Sequence, residues 1–395
     1  MKSLSIKIKV ILTVIICLAV AGAGLGALFE RAYEKNVHLA TVTAVNNART
    51  MFANLQAGDV QKMAAAAELL MANPQLRQAF KTDDINQLIE INQPLFNRLK
   101  AAYGVTILNY ITLDEKRYLT MTTPYDLKLR GQKAIRPNIQ ACAKTKTWAN
   151  GMALGKLGFA LRVTHPFYDN GELKGDKQLG YIELGSEIGG LLGVLKQQTS
   201  NEFGLMMLKK FFKEEDWAAQ RKLLKLENNW SAAKDILLAN NTSGKESIFK
   251  YTGDVTALPD AGLALDIVQN EGKQYARGAF PIRDASNAKV GALFVLVDIT
   301  EQFVTMQRMK WLAMGSIGAV ILVLCVLLIA LLQRLVFRRL ETITVSATRL
   351  VGGDFETPLP ATSDDEIGRF EALFEQFRVV FVNVLKDLEA LQRQD

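Results

Sequence analysis

An α+β fold carried on two membrane-crossing helices is what the sequence predicts, and three observations predict it. Two uncharged apolar runs, residues 10–29 and 311–332, lie towards the two ends of the chain. The stretch between them switches between helical and strand periodicity. After the second run, apolar residues step four and three apart in a heptad.

About 20 uncharged residues let a helix cross a ~30 Å hydrocarbon core, where a helix satisfies its own backbone polar groups. The first run also has features of a cleaved secretory signal, because Lys2, Lys7 and Lys9 precede it and Ala21-Gly22-Ala23 mimics a cleavage site. It is longer than the apolar core of about 7 to 15 residues in such signals, which favours retention. Lysines before the first run and Arg334, Arg338 and Arg339 after the second outweigh Arg31, Lys35, Arg308 and Lys310. Both ends are therefore expected in the cytoplasm. The expected arrangement is a two-pass protein of a bacterial inner membrane, with residues 1–9 as a cytoplasmic tail and residues 30–310 in the periplasm. Gly22 with Gly26, and Gly315 with Ala319, are small residues four apart that permit close helix contact.

Composition narrows the function classes. The net charge is +7, yet no basic run of five occurs and much of the excess flanks the apolar runs. Lipid headgroups are the expected partner of that charge, and nucleic acid is not. Of three cysteines, Cys17 and Cys325 lie in the apolar runs and Cys142 stands alone, so no disulfide is expected between them outside the membrane. Cys142 reads as a small buried apolar residue. His38 and His165 are far apart and lack Cys or carboxylate partners at ligand spacing, so both read as structural. No metal site, cofactor or catalytic constellation is expected, and the chain does not read as an enzyme.

Between the runs, residues 30–72 hold no proline and carry Val42, Val45, Ala48, Met51, Phe52 and Leu55 at helical spacing. At 1.5 Å per residue such a helix reaches about 65 Å. Asn73-Pro74 stops it, a short turn follows, and Thr82-Asp83-Asp84 opens a second helix that runs to Tyr103 and ends at Gly104. Residues 105–112 and 117–122 read as a hairpin around Asp114-Glu115-Lys116, and residues 157–167 and 179–185 as two more strands. An antiparallel sheet with helices on one face follows.

The glycine-punctuated strand Gly155-Lys156-Leu157-Gly158-Phe159-Ala160-Leu161-Arg162-Val163-Thr164-His165-Pro166-Phe167-Tyr168, followed by Leu179-Gly180-Tyr181-Ile182-Glu183-Leu184-Gly185, resembles the membrane-distal module of double Cache sensor domains of chemoreceptors and sensor kinases. Tyr275-Ala276-Arg277-Gly278-Ala279-Phe280-Pro281-Ile282-Arg283-Asp284, with Lys289-Val290-Gly291-Ala292-Leu293-Phe294-Val295-Leu296-Val297-Asp298-Ile299-Thr300, resembles the last hairpin of the membrane-proximal module. The resemblance covers residues 30–310. It implies two PAS-like antiparallel-sheet modules on the long helix, and a small-molecule ligand.

Side-chain alternation suggests where that ligand sits. Leu161 and Val163 share one face of a strand while Arg162 and Thr164 share the other, and Tyr181 with Glu183 oppose Ile182 with Leu184. One face is apolar enough to pack on the long helix. The other is expected to gather Tyr110, Tyr118, Thr120, Arg162, Thr164, Tyr181 and Glu183, with a guanidinium gripping a ligand carboxylate. A cross-strand ion pair between Arg162 and Glu183 on a solvated surface is the competing reading. The resemblance implies that the connecting segment bearing Arg130, Arg136 and Trp148 folds over the sheet and supplies ligand contacts; exposed loop cations are the alternative.

Beyond Arg334, Val336, Leu340, Ile343, Ala347 and Leu350 form one heptad seam. Ile367, Phe370, Phe374, Phe377, Phe381, Val384, Leu388 and Leu391 form another. Gly352-Gly353-Asp354-Phe355 and Asp365-Glu366-Ile367-Gly368 resemble the HAMP signalling module, over residues 334–387. The resemblance implies a parallel four-helix bundle in a homodimer, with Gly353, Asp354, Asp365, Glu366, Ile367 and Gly368 as its signalling residues. Arg339 stands near where that family often has proline. Residues 388–395 keep the heptad phase, so the expectation is the start of an output coiled coil, completed by a missing output domain or by a cytoplasmic signalling partner. The expected whole is a transmembrane receptor, of chemotaxis type by family leaning. The rivals are the sensory half of a histidine kinase or cyclase, and a membrane adaptor that binds a protein partner.

Overall fold

The computed structural model describes residues 6–121, 129–155, 158–359 and 363–392, with side chains between residues 12 and 387, Gly155 and Gly158 excepted. Several expectations therefore lie outside the described residues: those on Lys2, on Thr122 as a strand end, on Lys156 and Leu157, on linker residues 360–362 and on residues 393–395. So do those on the side chains of Lys7, Lys9, Val10, Leu388 and Leu391.

Two compact units divide the chain, residues 33–304 and residues 1–32 with 305–395. The first holds two five-stranded antiparallel sheets. In the first sheet, strands β1 (Ile107–Thr112), β2 (Arg117–Met121), β3 (Ala149–Gly155), β4 (Gly158–Tyr168) and β5 (Gln178–Glu187) lie in the order β2-β1-β5-β4-β3. In the second, β6 (Glu202–Leu208), β7 (Ile236–Asn241), β8 (Leu263–Asn270), β9 (Lys273–Arg283) and β10 (Lys289–Asp298) lie in the order β7-β6-β10-β9-β8. The second order repeats the first with every strand advanced by five. The α+β expectation with two sheet modules holds.

Helix α1 (Ile6–Ala72) ends where Asn73-Pro74 was expected to stop it. From Val45 to Met71 its apolar side chains enter one continuous core with Leu108, Tyr110, Leu161, Val163, Ile182 and Leu184 of the first sheet, and with Phe203, Leu205, Leu293 and Val295 of the second. At roughly 1.5–3 kcal/mol for each large apolar side chain removed from water, this stripe holds both sheets to one helix. The expected turn after Asn73 is instead a short helix, α2 (Pro74–Lys81), because the Asn73 side chain accepts from the N–H groups of Gln75 and Leu76. Next, α3 (Ile85–Tyr103) starts at Asp84, which accepts from the Gln87 N–H, and ends at Gly104 with φ of 68°. Gly104 supplies the left-handed conformation that closes a helix.

Helices were expected on one face of the sheet only, and here the structure differs. Helix α4 (Pro137–Thr145) covers the opposite face, packing Ile139 and Cys142 on Ile111 and Tyr181. Connecting residues that carried no clear periodicity thus supply both α4 and edge strand β3. Between the sheets in sequence comes α5 (Ile188–Thr199), and α6 (Glu214–Leu223) lies between β6 and β7.

The other unit contains α7 (Thr300–Leu332) from Thr305 onward, a π-helical turn at Gln333–Phe337, α8 (Arg338–Val351) and α9 (Glu366–Gln392). Among the described residues, two helices are long and apolar enough to cross a membrane, and they contain both predicted runs. Within this unit Glu30 pairs with Lys310. A Cβ at Gly22 would lie 3.9 Å from Ile317, while Gly26 and Gly315 have nothing within 4 Å. Of the three glycines expected to bring helices together, Gly22 alone lies against the other helix.

Candidate functional site: the covered polar face of the first sheet

Register decides which side chains meet. Glu183 on β5 stands opposite Asn109 on β1 and Thr164 on β4, and Asn109 stands opposite Thr120 on β2. With Arg162, two residues before Thr164, they share the face that α4 covers. Arg136 is the N-cap residue of α4 and makes no side-chain cap bond, so its guanidinium is available to turn inward. Pro137 fixes the first helical position, where its missing N–H costs nothing.

Glu183 is the centre of the cluster and is fully buried. It accepts from Asn109 Nδ2 at 2.6 Å, Arg136 Nε at 2.9 Å and Nη2 at 2.5 Å, Asn138 Nδ2 at 3.1 Å and Arg162 Nη1 at 3.0 Å. Burial by itself would raise this carboxyl, but the Arg136 and Arg162 charges and the donated hydrogen bonds outweigh it and hold the group at about 2. Burial lowers Arg162 to about 10, against the pull of Glu183, and leaves it charged at neutral pH. Two guanidiniums against one carboxylate give the cluster a net positive charge. The neighbouring Arg117, itself lowered by burial, adds to that field.

The cluster is also incomplete. Among the described residues, the buried atoms Arg162 Nε, Asn109 Oδ1, Asn138 Oδ1 and Thr120 Oγ1 have no hydrogen-bond partner. A buried polar atom left unpaired costs about 1–3 kcal/mol. One free guanidinium N–H and a net positive charge suit an anion, and the amide and hydroxyl oxygens can take hydrogen bonds from a ligand's own donors.

The predicted site residues separate into two groups. Arg136, Arg162, Thr164 and Glu183 come together, and Thr120 and Tyr181 share their face. Tyr181 packs on Ile111 and Cys142 under α4, where burial raises its hydroxyl. Tyr110 and Tyr118 do not belong, which corrects the expected wall. Tyr110 stands opposite Ile182, on the α1 side, and donates to Asn92 Oδ1 at 2.8 Å. Strand β2 has a bulge against β1 between Tyr110 and Ile111, and this turns Tyr118 to that same side, where its ring meets Phe80 at 4.8 Å. Trp148 stacks on His165 at 5.6 Å, away from the cluster. Arg130 pairs with Asp83 at 2.7 Å on the surface and lies over the Tyr118 ring. The competing ion-pair reading of Arg162 with Glu183 is right about the pair and wrong about its solvation.

Asn109, Asn138 and Arg117 were missed. Only Asn109 had a usable signal: it has the strand parity opposite to Tyr110, and pairing β1 with β5 in register would have placed it beside Glu183.

In the helical hairpin, Gly353, Asp354, Asp365 and Gly368 each have a local task. Gly353 has φ of 93°, and Asp354 accepts from the N–H groups of Glu356 and Thr357. Asp365 accepts from the Gly368 N–H at 2.7 Å, and a Cβ on Gly368 would fall 1.7 Å from the Ser363 carbonyl oxygen, so that site requires glycine. Glu366 is the exposed first residue of α9, and Ile367 is half-buried. Arg339 joins the helices by pairing with Asp365 at 2.7 Å and Glu371 at 2.8 Å.

Against known proteins, the family model described as the double sensory domain of two-component sensor kinase (dCache_3) matches residues 43–303. No curated protein matches the chain. Among solved structures, the sensor domain of the V. cholerae histidine kinase DctB is 11% identical, with 66% of this chain and 98% of that one covered and a TM-score of 0.38. The ligand-binding domain of the Campylobacter jejuni chemoreceptor Tlp3, in complex with 4-methylisoleucine, is 13% identical over 67% of this chain and 92% of that one, with a TM-score of 0.36. The E. coli DcuS sensor domain is 23% identical over 37% of this chain and 97% of that one, with a TM-score of 0.29.

Proposed function

Because the chain belongs to the double sensory domain (double Cache) family of two-component sensor kinases, we propose that it is a two-pass receptor of a bacterial inner membrane that senses a small carboxylate. The observation carrying this reading is the buried, net-positive and partly unpaired cluster around Glu183. A ligand carboxylate enters beside Glu183 and takes the free Arg162 Nε, while Arg136, Thr120, Asn138 and Tyr181 line its path. Glu183 already saturates much of the guanidinium capacity, so the ligand shares those donors or displaces it.

Residues 30–310 form the periplasmic sensor in this reading, and residues 334–387 a HAMP module in a homodimer. The exposed apolar side chains Phe370, Phe377, Phe381 and Val384 on α9 support the second copy, since a seam of that kind is stable only when covered. A ligand acts by binding two packings of the sensor unequally. Small shifts of the membrane helices then bias the HAMP bundle between two packings. The output is a chemotaxis response by family leaning; the description of the matching family favours the alternative, a sensor kinase.

The test is thermal unfolding of the full chain in lipid nanodiscs against dicarboxylates, keto acids, amino acids and amines. A ligand at 100 times its dissociation constant stabilises by about 2.7 kcal/mol. Arg162→Ala is expected to abolish the carboxylate response, and an unchanged response removes that guanidinium from the site. Silence across the panel favours an adaptor that binds protein. Swimming bias against phosphotransfer, measured in cells given the ligand, separates the two outputs.

A further inference from the structure

The second sheet carries a half-enclosed cavity of about 310 Å³, on the face turned away from α1 and apart from the Glu183 cluster. We propose that it is a second ligand site, for an uncharged molecule of about the size of a bicyclic aromatic that carries an N–H or O–H donor.

The chain is built to keep this space open. Phe249 forms one wall, lying so close over β6 that a Cβ at Gly204 would come within 2.3 Å of its ring. Glycine there lets the ring sit back against the sheet. Met206, Ile236 and Leu238 complete an apolar lining. Unfilled apolar space forfeits dispersion contacts that a packed core would have. An apolar cavity of about 150 Å³ holds one benzene, so this one takes a two-ring body.

One wall is polar and rigid. Glu246 lines the cavity and accepts from Arg221 Nη2 at 2.5 Å and Asn229 Nδ2 at 3.0 Å. Both partners are buried and held in turn: Arg221 donates to the Glu227 carbonyl at 2.6 Å, and Trp217 Nε1 donates to Asn229 Oδ1 at 3.0 Å. A carboxylate offers about four acceptor directions, and these two bonds leave two. Arg221 already neutralises the Glu246 charge. The remaining acceptor capacity is therefore met by a neutral donor; the other charged residues of the lining, Lys234, Asp235 and Lys250, are exposed and offer no buried counter-ion to a charged ligand.

Indole and benzofuran, which differ in having and lacking the N–H donor, are the probes, titrated calorimetrically into the full chain in nanodiscs. Indole is expected to bind at least 10-fold more tightly than benzofuran. Ala232, an exposed residue at the rim, offers a blocking variant that leaves the core alone. Ala232→Phe is expected to abolish indole binding, and Glu246→Gln to bring indole and benzofuran within about threefold of each other. Equal affinities in the unaltered chain, no binding up to the solubility limit, or full binding by Ala232→Phe would overturn the proposal.

Discussion

In the first sheet the face turned from α1 carries Glu183, Arg162 and Thr164; in the second, built in the same strand order, the equivalent face carries Met206, Leu238, Phe294 and Leu296, with a buried Arg277 that pairs with the half-exposed Asp266. Each face is covered by chain that crosses back over it. One cover brings Arg136 and Asn138 down onto a carboxylate, and the other brings Phe249 onto a glycine. Topology is therefore indifferent to what is buried. A single carboxylate on β5 draws counter-charges from two other segments, Arg162 on β4 and Arg136 at the start of α4.

The sharpest way to break this contrast is to remove the central charge. Glu183→Leu strands two buried guanidiniums and is expected to cost about 3–5 kcal/mol in denaturant unfolding. Glu246→Gln, at a half-exposed carboxylate, should cost about 1 kcal/mol. Equal losses would mean that the two faces do not differ energetically. The triple change Arg136→Met, Arg162→Met, Glu183→Leu should restore most of the loss, because neutral side chains of similar volume need no partners.

Acid separates the faces next. The Glu183 carboxyl is held at about 2, so the stability it contributes is fully present above its unfolded value of about 4.3 and is lost as pH falls towards 2, on the order of 3 kcal/mol in all. His165 is held at about 4 by burial. The unfolded chain therefore binds its proton first, and stability already declines as pH falls from about 6.5 towards 4. Unfolding measured from pH 7 to 3 should show both declines, and His165→Phe should remove the upper one alone.

A smaller effect probes the second sheet. Gly204→Ala forces Phe249 off β6 and should cost about 1–3 kcal/mol. It should also reduce the cavity, which calorimetry with indole would read. Least of all, Arg130→Ala removes an exposed pair with Asp83 and should change stability by less than about 1 kcal/mol. A larger loss would place Arg130 in the buried network after all.

Much of the fold was legible because its signals are local. Spacing marked α1, Asp84 and Gly104 marked the ends of α3, strand periodicity and turn residues marked β1, β2, β4 and β5, and the family resemblance marked β9 and β10. The edge strand β3, the cover helix α4 and α2 were not, since their residues carry weak periodicity and owe their conformation to packing. The site was half legible: alternation alone put Arg162, Thr164, Tyr181 and Glu183 on one face. Tyr110 and Tyr118 were misplaced because alternation says which residues share a face within a strand but not how neighbouring strands are aligned, and a bulge reverses it locally.

What the sequence determined by itself was the class of element wherever the pattern is regular: two apolar helices, a long amphipathic helix, alternating strands and a heptad hairpin. Each follows from the order of side chains over a few turns. Only the tertiary structure decided that Glu183 would meet Arg136, forty-seven residues away, and that Arg339 would join α8 to α9. Those pairings depend on strand register and on which segment lies over which face, and burial then turns an ordinary ion pair into a strongly coupled one by removing the water that would have screened it.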